Sequence, residues 1–162
     1  MIAKLAKMQY RFLDRMRHRE AFRAAREQPT AGDFEPLHGH HYCLLVSFRR
    51  SGEPVPTPVL FGLRDGKLYF RTEAGVAKLA RIGNEPAVRV APCNWRGKPL
   101  GPLAQGSARP LPAGEAADAA YAVLKEGYTF GDRLFEGMID RLPIDMVYVE
   151  VVPAAVDLTA SR

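Results

Sequence analysis

Between residues 41 and 72 short runs of β-branched, aromatic and aliphatic residues are cut by turn signals, and this restricts the chain to an antiparallel sheet. HYCLLVSFR (41–49) leads through the turn RSGE into VPTPVLFGL (55–63), which leads through Asp65-Gly66 into KLYFRT (67–72). Both residues of the Asp65-Gly66 pair tolerate positive φ, as a tight two-residue hairpin requires. Three consecutive antiparallel strands are expected. In the second, Pro54, Pro56 and Pro58 share one parity, so their missing N–H groups all fall on one side. That side cannot donate to a ladder and must be a protected edge or face a loop, a ligand or another chain.

Further along, GVAKLARIGN (75–84) spaces Val76, Leu79 and Ile82 as a short helix does, and AVRVAP (87–92) reads as a fourth strand. NWRGKPLGP (94–102) is a loop and LAQGSARPL (103–111) a strand; EAADAAYAVLKE (115–126) and FGDRLFEGMIDRL (130–142) are helices, and DMVYVEVVP (145–153) is the last strand. Short strands at close spacing with few helices predict a mainly β, α+β fold: a six-stranded antiparallel barrel with short peripheral helices. A chain of 162 residues has room for one such domain with a full core.

The charge is concentrated at one end. Residues 1–28 hold eight basic against three acidic side chains, an excess equal to the entire net charge of +5, so the rest of the chain is balanced. This predicts a basic arm (1–28) ahead of a neutral domain (29–162) and gives no support to nucleic-acid binding by the body. Residues 2–27 lack Gly and Pro and space Ile2, Leu5, Met8, Phe12 and Met16 as an amphipathic helix, ended by Pro29–Pro36. The arm is expected to pack on its own barrel or on a partner subunit; contact with an anionic membrane surface is the less favoured alternative. No apolar run reaches the length of a membrane span, no signal peptide stands at the start, and Cys43 and Cys93 sit in apolar strands where thiols are ordinarily buried, which together favour the cytoplasm.

The cluster His38, His40 and His41 invites a metal reading, but residues 40 and 41 point to opposite strand faces and no carboxylate or cysteine stands at a ligand spacing, so no metal site is expected. No Ser-His-Asp or phosphate-loop pattern occurs, and no catalytic side chain is assigned.

In HYCLLVSFRRSGEPVPTPVLF (41–61), LYFRTEAGVAKLARIGNEPAVRVAPC (68–93) and RGKPLGPLAQGSARPL (96–111), the chain resembles the pyridoxamine 5'-phosphate oxidase-like FMN-binding split barrels, and within them the deazaflavin (coenzyme F420)-dependent oxidoreductases. The resemblance covers residues 37–153. It implies a homodimer whose two chains build a cofactor site, with hydride moving between the cofactor and a small-molecule substrate. Lys78 holds the position that grips the cofactor phosphate, with Thr72, the turn at Ala74 and a helix N-terminus as further donors. Thr57 and Pro58 correspond to the strand along the ring, Arg71 to a partner of the phosphate or tail, and Arg81 and Asn84 to weaker contacts. Trp95, an aromatic in a loop, is expected either to cover the partner's cofactor or to make a simple dimer contact. Gly75 and Ala77 stand where relatives often carry Ser or Arg beside the lysine, and Leu60 where many have Trp. F420 is preferred to FMN; an FMN-dependent or haem-handling relative, or a non-catalytic cofactor carrier, are the alternatives.

Overall fold

The computed structural model describes residues 16–154. The described chain runs α1 (Arg19–Ala24), a 3-10 turn (Glu35–Leu37), β1 (Tyr42–Phe48), β2 (Pro54–Leu60), β3 (Gly62–Arg64), β4 (Lys67–Glu73), α2 (Ala77–Asn84), β5 (Ala87–Cys93), β6 (Ala104–Pro110), α3 (Glu115–Gly127), α4 (Phe130–Ile139) and β7 (Met146–Pro153). One antiparallel sheet joins the strands in the order β2-β1-β5-β6-β7-β4-β3.

The expected count of six strands becomes seven because the run 55–63 is not one strand. It breaks at Phe61: β2 pairs with β1, from Phe48 opposite Pro54 to Tyr42 opposite Leu60, whereas β3 pairs with β4. The two ends of the sheet are thus consecutive in sequence. Two virtual bonds of about 3.8 Å hold Leu60 and Gly62 within ~7.6 Å, while the edges of a flat seven-stranded sheet would stand about 29 Å apart at ~4.8 Å per strand. The sheet therefore has to curl, and Phe61, 8% exposed, is driven into the interior at the corner. The hairpin at Asp65-Gly66 forms as expected, with φ of 52° and 73°.

Alternation along the strands sorts the residues onto two faces. Inside lie Cys43, Leu45, Val59, Leu68, Phe70, Val88, Val90, Val149 and Val151, all buried. Strand β6 faces them with Ala104, Gly106 and Ala108, small residues where the wall passes close to β7 and Phe34. A Cβ on Gly106 would meet Val151 Cγ1 at 2.7 Å and the Val152 carbonyl oxygen at 3.1 Å. On the outer face Leu44, Val46, Ala91 and Cys93 form a second buried layer with Leu103 under Ala21, Ala24 and Ala25 of the N-terminal segment. Cys43 and Cys93 thus lie on opposite faces of adjacent strands, and burial pushes both thiols up, Cys93 to about 12.

The expected helix over 2–27 is interrupted within the described residues. Met16–His18 is not helical: His18 is extended (φ −65°, ψ 136°), and its Nδ1 accepts from the Glu20 N–H as the cap of α1. The His18 N–H donates to the Arg96 carbonyl at 2.7 Å, and that backbone bond to another loop fixes the break. The stripe Ile2, Leu5, Met8 and Phe12 lies outside the described residues.

The close approach at Gly106 sets a test. Gly106→Ala should destabilise the fold by about 1–3 kcal/mol through overpacking, whereas Gly137→Ala, in α4 with no atom within 4 Å of its added Cβ, should stabilise by up to ~1 kcal/mol. Urea unfolding midpoints of the two variants measure both signs.

Candidate functional site

Helix α2 closes one end of the barrel. Its N-terminus follows Gly75, held at φ 78°, and Ile82 is buried in the interior core with Leu79 packed against it. That insertion sets the flanking polar residues at the barrel mouth. The Lys78 ammonium lies 5.8 Å from the Phe70 ring centroid. Arg81 Nε donates to the Ser47 hydroxyl at 2.7 Å, and Ser47 is 1% exposed at the inward-facing end of β1. Thr72, in phase with Leu68 and Phe70, is buried at the adjoining end of β4. Thr57 stands opposite Leu45, two residues along from the level of Ser47, which pairs with Val55.

Thr72, Lys78 and Arg81 are therefore brought to one end of the barrel, and Thr57 faces inward from the middle of β2. Pro58, opposite Leu44, lies on the outer face of β2, and among the described residues β2 pairs with β1 alone. Pro54, Pro56 and Pro58 leave the free edge of β2 without donors at those positions, as their common parity requires.

Three expected site residues stand differently. Ala74 adjoins the site, but its N–H donates to the Asp145 carbonyl at 2.8 Å and is spent within the fold. Arg71 has the opposite parity to Thr72 and turns to the outer face. There its guanidinium, with side-chain exposure of 5%, pairs with Glu136 and, at 2.9 Å, with Asp140, both on or beside α4. It also reaches the Tyr148 hydroxyl at 3.4 Å and lies 5.3 Å from the Tyr121 ring centroid. An arginine held by two carboxylates ties α3, α4 and β7 together and has little positive charge left for a phosphate. Trp95 is at the other end of β1: it follows Cys93, which pairs with Tyr42, so about 16 Å of strand at ~3.3 Å per residue separates its level from that of Ser47. Its loop is built firmly, since Asn94 Oδ1 accepts from the N–H groups of Arg96 and Lys98 at 2.9 Å and Arg96 Nε donates to the Met16 carbonyl; Trp95 is 50% exposed upon it.

Ser47 was not legible as a site residue by type, although its phase with Cys43 and Leu45 marks a hydroxyl on the inward face. The partners of Arg71 lie 65 and 69 residues away in sequence, and no local signal points to them. Among the described residues, no three His, Cys, Asp or Glu side chains group to hold a metal ion.

Arranged in this way, the α2 end offers ammonium, guanidinium, hydroxyl and helix first-turn amides within one mouth, a donor set suited to a phosphorylated ligand. The architecture is that of the pyridoxamine 5'-phosphate oxidase-like split barrels. Among solved structures with this fold is the heme storage protein HutZ from Vibrio cholerae: 15% identity, 76% of this chain and 92% of that one covered, TM-score 0.56. Others are the F420-H2 dependent reductase FDR-A, at 16% identity over 68% and 93% with TM-score 0.52, and a candidate pyridoxamine 5'-phosphate oxidase from Listeria innocua, at 19% over 72% and 86% with TM-score 0.51. No family model and no curated protein matches the sequence.

The Arg71 cluster carries a pH signature. Burial acts to raise the Asp140 carboxyl, but hydrogen bonds from Tyr121 and Arg71 outweigh it and hold the group below its usual range. A carboxylate depressed in the folded state contributes stability above its unfolded value of about 4 and loses it as pH falls through the folded one. Asp140→Asn should therefore flatten the loss of stability as pH falls below about 4, read from urea midpoints across that range; equal slopes would remove Asp140 from the network.

Proposed function

We propose that this chain binds a flavin-type cofactor, coenzyme F420 in preference to FMN, at the α2 end of the barrel. As a homodimer, it moves a hydride between that cofactor and a small-molecule substrate. The observation that carries the reading is the donor set at one barrel end: Lys78 in the first turn of α2, Thr72 on β4, and an α2 N-terminus whose N-cap residue, Val76, makes no side-chain capping bond. The residues fit a phosphorylated group. Gly75 leaves open space where a Cβ would stand, so the chain can turn closely past a ligand before the helix begins.

When bound, a cofactor of this class supplies the hydride-transferring ring, and the protein's part is binding and orientation. Lys78 places a positive charge against the phosphate, and the first-turn amides of α2 add oriented dipoles. Arg81, oriented by its bond to the Ser47 hydroxyl, adds a second positive charge one turn along α2 from Lys78. Thr57 presents the inward wall of β2 to the ring, and Pro58 stiffens the same strand from its outer face, at the edge where the prolines carry no N–H. Trp95, at the far end of β1, contributes from the partner subunit. The preference for F420 rests on the likeness of VPTPV (55–59), RTE (71–73), Lys78, RI (81–82) and VAPC (90–93) to the deazaflavin-using branch, and an F420-H2 dependent reductase is among the structures of this fold. HutZ makes haem the competing ligand of the same scaffold.

Absorbance titration of the purified protein with F420, FMN and hemin in parallel ranks the three. Lys78→Ala should weaken binding of F420 by about 1.5–3 kcal/mol, the range for hydrogen bonds to charged groups, and leave the melting temperature of the cofactor-free protein nearly unchanged. Unaltered affinity would take Lys78 out of the site. Light scattering at micromolar concentration should give a dimer; a monomer would overturn the two-chain site.

A further inference from the structure

A cleft of about 600 Å³ opens at the other end of α2, about 9 Å along the helix axis from Lys78 at ~1.5 Å per residue. It is bounded by the β1–β2 turn, the C-terminal end of α2 and the start of β5, and lined by Phe48, Arg49, Arg50, Asn84, Glu85 and Arg89 among others. Arg49 and Arg50 come from the β1–β2 turn and Arg89 from β5, and they converge because Val46 pairs with Arg89 in the ladder, two residues before β1 ends at Phe48. None of them has a role in the barrel's core.

Arg89 is the informative member. Its guanidinium lies 5.3 Å from the Phe48 ring centroid and donates from Nη1 to the Glu27 carbonyl at 2.9 Å, while its buried Nε has no hydrogen-bond partner. Among the described residues no carboxylate pairs with it. Burial pulls its guanidinium below the usual arginine value, the sign of a charge taken out of water without a counter-ion. A buried unmade donor on a charged group is costly; Arg71 Nε is another such atom, but its guanidinium already has two carboxylates, whereas Arg89 has none among the described residues. The acids nearby do not supply one. Glu85 turns its Oε1 to the Ala87 N–H at 3.0 Å, and Glu53 meets Arg49 at 3.7 Å in an exposed pair, the kind worth under about 1 kcal/mol and readily displaced. Arg50 donates to Asn84 Oδ1 at 3.2 Å, which orients the guanidinium along the cleft and leaves the Asn84 amide nitrogen as a further donor.

We propose that this cleft is a binding site for a small, multiply charged oxyanion, held by Arg50, Arg89 and Arg49 and separate from the Lys78 end of the barrel. Guanidinium forks match the oxygen spacing of phosphoryl and carboxylate groups, and the cleft lies within the ~300–1,000 Å³ range of small-molecule sites. A bound oxyanion would supply the counter-charge that Arg89 lacks. Because Arg89 also holds the Glu27 carbonyl, the ligand would fix the segment after α1 against β5, so binding should stabilise the fold. The inference does not depend on which cofactor the chain binds.

Cofactor-free protein is titrated with sodium pyrophosphate and with citrate, against sodium chloride of equal ionic strength, following the melting temperature and isothermal heats. Saturable stabilisation by at least one of the two is expected, and the stronger probe identifies phosphoryl or carboxylate as the ligand chemistry. The surface double variant Arg49→Gln/Arg50→Gln and the variant Arg89→Met should each weaken that binding at least tenfold, with Lys78→Ala within twofold of the unaltered protein. The proposal is overturned if neither probe exceeds the chloride control, if binding survives both sets of arginine substitutions, or if Lys78→Ala abolishes it. In the last case the anion sits at the first turn of α2. Should Arg89→Met fail to fold, the surface double variant decides alone.

Discussion

Closure of the sheet through Phe61 is the constraint on which the rest of the molecule depends. Because β2 and β3 are consecutive yet lie at opposite ends of the strand order, one buried aromatic at the corner commits seven strands to a curled wall. Curling creates an inside that Phe70, Leu45 and the valines of β5 and β7 fill, and it leaves an open end that a helix has to plug. Helix α2 does so with Ile82. Its polar residues are then fixed at the mouth by the same burial that completes the core.

The two sides of the wall serve different ends. Inward, the alternation of β1 and β4 delivers Ser47 and Thr72 to the mouth. Outward, the same alternation delivers Arg71 to Glu136 and Asp140, and Arg109 and Tyr69 to Glu150, at 3.0 Å each. These outer ionic clusters bind helices and neighbouring strands to the barrel. A single residue of phase therefore separates Thr72, which adjoins the candidate cofactor site, from Arg71, which is structural.

Local signals carried much of this fold into the sequence. The Asp65-Gly66 turn, the limits of α3, the span of β7 and the parity of three prolines on an edge strand could all be read from neighbours within a few residues. The corner at Phe61 could not, because VPTPVLFGL has uninterrupted strand character, and its break is set by competition between β1 and β4 for pairing. The interruption at Met16–His18 was hidden for a similar reason: a Gly- and Pro-free stretch has strong helical character, and the backbone bond from His18 to Arg96 is a long-range contact. The structure brings Lys78, Thr72 and Arg81 to one end of the barrel. Arg71 is drawn away from that end by carboxylates that arrive from α4, and the Ala74 N–H is taken by Asp145, neither of which a local signal marks.

The claim that the α2 end of the barrel is the cofactor site is tested most directly by amide chemical shifts. In ¹⁵N-labelled protein titrated with F420 or FMN, the largest perturbations are expected on residues 72–84 and on Ser47 and Thr57, with a second set at the Trp95 loop from the partner chain. Perturbations confined to the arginine cleft at Arg49, Arg50 and Arg89, or absent from residues 72–84 at saturating cofactor, would contradict it.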